Sequence, residues 1–159
     1  MDERTTVLYV DDNPKSSRLL ASVLEQCGFR IISKNDPLEA LALCRRTSFD
    51  LALLDYEMPV MTGAKLAREI KHLMPEVPIV LISGRTSIPA AELEFVDAHF
   101  GFGTALDDLL WSMRILVPPK VMAREIEYSE RSPQHHEPQI SEHHRGQGHM
   151  PESRWADST

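Results

Sequence analysis

Nowhere in the 159 residues do 18 apolar side chains follow one another, so no segment reads as a membrane-spanning helix. The opening Met-Asp-Glu-Arg-Thr-Thr lacks the apolar stretch of a secretory signal, and a cytoplasmic location is expected. Cations are also scarce. There are 17 Lys and Arg against 24 Asp and Glu, a net charge of −7. Nucleic acid and anionic membranes both reward clustered positive charge, so neither is expected as the main partner. Only Cys27 and Cys44 carry thiols, and their separation matches no metal-binding pattern. Both are expected to be buried structural thiols of a reducing cytosol. No internal repeat is visible, and no helix-turn-helix follows the main apolar region, so no DNA-binding output domain is expected.

What is present fits one domain. Up to Val117, short apolar runs alternate with helical patterns. Past Pro118-Pro119 the chain turns to Pro, His, Glu, Ser and Gln and holds five of the seven histidines. Such a stretch has too little apolar surface to offset its ordering entropy. Residues 1–118 therefore read as the domain and 119–159 as a mostly disordered His- and Pro-rich tail, with a short helix possible over Val121–Tyr128. His135-His136, His143-His144 and His149 could bind Zn²⁺ or Ni²⁺, but a tail without cysteine partners or a fixed scaffold is better read as simply disordered.

Within the domain, Val7–Val10, Phe29–Ser33, Leu51–Leu54, Pro78–Ile82 and Asp97–Phe102 read as strands. Asn13-Pro14 and Asp36-Pro37 each pair a capping side chain with proline at the first helical position. They open helices running to Cys27 and Arg45, and Gly28 closes the first. Further helices are predicted over Thr62–Leu73, from near Pro89, and over Leu106–Leu116. Five strands alternating with five helices imply a doubly wound α/β domain with a parallel sheet. Right-handed crossovers make the flavodoxin-like strand order 2-1-3-4-5 the natural one, which places ligands at the carboxyl ends of strands one and three.

Strand one ends in Asp11-Asp12 and strand three in Asp55. Asp before Asn-Pro also forms caps and turns, but three carboxylates at one sheet edge repel one another unless a cation offsets them. Mg²⁺, a hard ion that takes carboxylates and brings phosphate, suits that edge. Val10-Asp11-Asp12-Asn13, Asp55-Tyr56-Glu57-Met58-Pro59-Val60-Met61-Thr62-Gly63 and Leu81-Ile82-Ser83-Gly84 together resemble the signature segments of response-regulator receiver domains, over about residues 5–117. The resemblance implies a bacterial two-component protein in which Asp55 accepts a phosphoryl group from a sensor histidine kinase or phosphotransfer protein. It also implies Mg²⁺ held by Asp12, Asp55 and the Glu57 backbone carbonyl, with Asp11 acting largely through water. Ser83 would be the switch hydroxyl, although a plain strand-end cap would look the same. Output would pass to another, unidentified protein, without catalytic turnover.

One position departs from the family. Receivers carry a lysine at the end of strand five, and here no lysine occurs between Lys71 and Lys120. The apolar positions of Asp97–Leu110 put Phe102 in its place and His99 where an aromatic switch residue sits. Arg85 is the nearby cation, either a stand-in for the lysine or a partner of Glu57. A pseudo-receiver that binds partners constitutively is the alternative this departure supports. A small Mg²⁺-dependent phosphohydrolase is a remote one, since haloacid-dehalogenase enzymes also form an aspartyl phosphate. Those enzymes need a second Asp two residues after the nucleophile, where this chain has Glu57.

Overall fold

The computed structural model describes residues 3–119. The expected tail, apart from Pro119, lies outside the described residues. Strands β1 (Thr6–Val10), β2 (Arg30–Lys34), β3 (Leu51–Asp55), β4 (Ile79–Ser83) and β5 (Ala98–Gly101) alternate with helices α1 (Pro14–Gln26), α2 (Pro37–Cys44), α3 (Gly63–Leu73) and α4 (Leu106–Leu116). All pairings are parallel, in the order β2-β1-β3-β4-β5. The predicted architecture and strand order are therefore present.

Local chemistry sets the helix starts. The Asn13 side chain accepts from the Lys15 and Ser16 amides, Asp36 from Leu38, and Thr62 from Lys65. Each cap satisfies a donor that the first turn leaves open. Period-two alternation then divides the core. Leu8, Val10, Ala52, Leu54 and Leu81 face α2 and α3, where Ala40, Leu66 and Ile70 cover them. Val7, Tyr9, Leu51, Leu53 and Val80 face α1 and α4 through Leu24, Leu109 and Met113. Each fully buried leucine contributes about 2 kcal/mol of transfer free energy, so both sheet faces hold the carboxyl edge in place.

Among the described residues four α-helices form, where five were predicted. Between β4 and β5 only a 3₁₀ turn, Ala90–Leu93, appears near Pro89. Its cap makes no side-chain hydrogen bond. Ile88, Leu93, Phe95 and Val96 all pack on the core, although all but Leu93 lie outside that turn. So few residues also cannot sustain a helix without strong packing of one face. The cysteines divide as well: Cys44 is buried, but Cys27, at the end of α1, is half-buried, and the two are not bridged.

Candidate phosphoacceptor and metal site

Register brings the site together. Val10 pairs with Leu54, so Asp11 and Asp55 leave neighbouring strands side by side. Asp55 pairs with Ile82, and Ser83 with Gly101, which places Ser83 and Phe102 along the same edge. Ligand oxygens of Asp11, Asp12 and Asp55 all lie within 4.8 Å of one another. The cluster floors a cavity of about 650 Å³ whose walls include Leu19, Leu20, Val23, Phe102 and Leu106.

Asp11 is 7% exposed and held from both sides. The Asn13 amide donates to Oδ1 at 2.8 Å, and the Tyr9 hydroxyl donates to Oδ2 at 2.7 Å. Asn35 donates to its backbone carbonyl at 2.6 Å. Burial pushes the Tyr9 hydroxyl pKa well up, and the adjacent Asp11 carboxylate adds to the effect. Each Asp11 oxygen keeps a second lone pair, so Asp11 can still accept from water around an ion. Sequence reasoning missed Tyr9 and Asn35, although period two places Tyr9 on the face of Asp11.

Asp55 is half-buried. Burial first, then the Asp11 charge, raises its pKa from 3.8 to about 6, with smaller upward contributions from Asp12 and Glu57. The Glu57 amide, 3.4 Å from Oδ1, opposes the rise. A carboxyl whose pKa is raised by burial and by neighbouring carboxylates marks a site that gains by binding a cation. Among the described residues, no Lys or Arg pairs with any of the three carboxylates. The donor set is all oxygen and partly open to solvent, so it fits a hard divalent ion such as Mg²⁺.

The loop after Asp55 is tightly built. A β-carbon at Gly63 would overlap the Asp55 carbonyl oxygen and crowd Leu81 Cδ1, so only glycine lets α3 start this close to β3. Val60 has φ of 70° and is 85% exposed, with Met61 N donating to Pro59 O at 2.7 Å. That three-residue turn is strained for a β-branched side chain and directs the loop back toward α3.

Ser83 is 2% exposed, and its hydroxyl accepts from the Arg85 amide at 3.0 Å. Arg85 approaches Glu57 at 3.9 Å and donates to the Tyr56 hydroxyl at 3.4 Å. Its guanidinium also lies 5.7 Å from the Tyr56 ring centre. Of the two roles open to Arg85, the structure has the Glu57 partner. Phe102 follows β5 directly, its amide donating to Ser83 O at 2.9 Å. The Phe102 side chain is 69% exposed, and His99, on the edge strand, is exposed as well.

A doubly wound α/β domain with an acidic cluster at its β1/β3 switch point is a class with many relatives. The family model described as "Response regulator receiver domain" matches residues 7–99, more than half the chain and ending short of Phe102. The chain belongs to the response-regulator receiver family. It is 33% identical over 89 residues to the transcriptional regulatory protein ZraR of Klebsiella oxytoca, which covers 56% of this chain and 20% of ZraR. It is 36% identical over 85 residues to a response regulator receiver protein of Anaeromyxobacter, covering 54% of this chain and 36% of that protein. The chain thus spans only a minor part of the curated relatives it matches. Among solved structures, response regulator TrrA of Thermotoga maritima, in complex with Mg²⁺-BeF, superposes with a TM-score of 0.68 at 26% identity, covering 71% of this chain and 99% of TrrA. The Vibrio cholerae chemotaxis protein CheY4, at 24% identity and a TM-score of 0.65, covers 72% of this chain and 99% of its own, and shares the fold. No described helix is long and apolar enough to cross a membrane.

Proposed function

We propose that this domain accepts a phosphoryl group on Asp55 and signals through protein contacts. The observation carrying this reading is the convergence of Asp11, Asp12 and Asp55, with ligand oxygens within 4.8 Å and no Lys or Arg partner among the described residues. Asp12, Asp55 and the Glu57 carbonyl would hold Mg²⁺, with Asp11 anchoring its water. When bound, the ion supplies positive charge to both the carboxylates and an incoming phosphoryl group. An Asp55 oxygen attacks phosphorus in line, the P–N bond of a donor phosphohistidine breaks, and the electron pair leaves with the imidazole. Above pH 6 the Asp55 carboxylate is largely ionised and available for that attack. Ser83 would turn its hydroxyl toward a phosphoryl oxygen. The donor is a sensor histidine kinase or phosphotransfer protein, a reading supported by the solved complex of histidine kinase ThkA with TrrA. The location is cytoplasmic, and the output partner is a protein.

The test is incubation with a small acyl phosphate or phosphoramidate, with and without Mg²⁺, read by intact mass. A gain of one phosphoryl group that needs Mg²⁺ and disappears in Asp55→Asn supports the reading. A second reading, a constitutively binding pseudo-receiver, is favoured by Phe102 standing where receivers carry a cation. It predicts no gain in mass and partner binding indifferent to the phosphodonor.

A further inference from the structure

Gly84 is shaped by one side chain. Its φ is not in the left-handed region, so alanine could adopt the same backbone. What alanine would lack is room, because a β-carbon there would lie 2.7 and 2.8 Å from Phe102 Cδ2 and Cε2. The other neighbour, Glu57 Oε2 at 3.6 Å, is at ordinary contact distance. The Phe102 ring therefore rests on the residue that follows Ser83. Two hydrogen bonds complete the arrangement: Phe102 N to Ser83 O at 2.9 Å and Arg85 N to Ser83 Oγ at 3.0 Å. Ser83 is thus closed between the end of β5 and the Arg85 amide, and it does not line the cavity floored by Asp55.

We propose that Phe102 is a positioning residue, a steric latch that holds the Ser83-Gly84-Arg85 turn with the Ser83 hydroxyl turned onto Arg85 and away from Asp55. This rests on the reading of Asp55 as phosphoacceptor and adds how the same site is regulated. For Ser83 to reach a phosphoryl oxygen, its hydroxyl must leave the Arg85 amide, and the ring pinning Gly84 has to lift. The ring can do so without opening the core, being mostly in water already. A lysine at this position would reach the carboxylates by charge. Phe102 acts on the turn by contact instead, which links β5 to the site without a cation.

Four variants test it: Phe102→Ala removes the ring, Gly84→Ala wedges it off, the double variant does both, and Phe102→Tyr keeps it. The first reading is amide hydrogen exchange at Arg85 in unphosphorylated protein. Phe102→Ala and Gly84→Ala should each speed it by about tenfold, the factor expected for one lost hydrogen bond. The double variant should add nothing further, and Phe102→Tyr should match the wild type. The second reading is the rate of phosphorylation by a small acyl phosphate with Mg²⁺, which the first two variants should raise by about two- to tenfold on the same scale. Unchanged Arg85 exchange in Phe102→Ala, or additive effects in the double variant, would overturn the latch. Faster exchange with an unchanged phosphorylation rate would overturn its link to Ser83. If the wild type takes up no phosphoryl group while exchange behaves as expected, the latch stands and the phosphoacceptor reading falls.

Discussion

Replacing Asp55 with Asn in metal-free protein should stabilise the fold above about pH 6 and change little below about pH 4, the two ends of the Asp55 titration. Folded Asp55 binds its proton more tightly than the unfolded chain does, because burial and the Asp11 charge disfavour the carboxylate. The stability this group lends is therefore complete below the unfolded value of 3.8 and is lost as pH rises through about 6. Two pH units at 1.36 kcal/mol each set a ceiling of roughly 3 kcal/mol, which partial solvent access lowers to about 1–2. Asn removes the charge and still offers an oxygen to the Glu57 amide. Urea unfolding with a chelator, run on both proteins from about pH 4 to pH 8, isolates the Asp55 contribution as their difference. Mg²⁺ should reverse the order at high pH, because it binds the ionised native site and adds stability by mass action. Its benefit to the wild type should fade below about pH 6, as protons take the site. Equal stabilities at pH 8 in chelator, or an Asn advantage that grows toward acid, would refute the electrostatic reading of the cluster.

Other substitutions probe the same geometry. Tyr9→Phe removes the donor to Asp11 Oδ2 and should cost about 1 kcal/mol in urea unfolding while weakening Mg²⁺ at least several-fold by calorimetric titration. Gly63→Ala forces a β-carbon against the Asp55 carbonyl and should destabilise by about 2–3 kcal/mol, seen as a lower urea midpoint. Phe102→Lys brings a cation to the cavity rim and should lower Mg²⁺ affinity while increasing the amide shifts of β4 and β5 on adding beryllofluoride with Mg²⁺. A wild type that already shifts fully, with nothing added by the variant, would mean that another group fills the lysine's role.

The sheet and its carboxyl edge were legible because their signals are local. Apolar runs such as Leu51–Leu54 mark strands covered on both faces, and Asn13-Pro14 and Asp36-Pro37 mark where the chain enters its helices. Strand order then followed from handedness, and with it the meeting of Asp11, Asp12 and Asp55. The segment after β4 was less readable, since its apolar residues from Ile88 to Val96 suit one face of a helix as well as they suit the 3₁₀ turn and extended flanks that pack on the core. Arg85 illustrates another limit. Its choice of Glu57 and Tyr56 over the acidic cluster depends on where the turn after Ser83 points its side chain, which no pattern of residue types encodes. Phe102 stood out by identity, but its seat on Gly84 depends on how β5 is placed beside the turn after β4.

The central claim, that Asp55 is a metal-dependent phosphoacceptor, is tested most directly by intact mass after treatment with a small acyl phosphate. The wild type should gain one phosphoryl group in the presence of Mg²⁺ and none in a chelator, and peptide mapping should place it on Asp55. Asp55→Asn should gain none under either condition. An unmodified wild type in saturating Mg²⁺, or a phosphoryl group retained by Asp55→Asn, would contradict the claim.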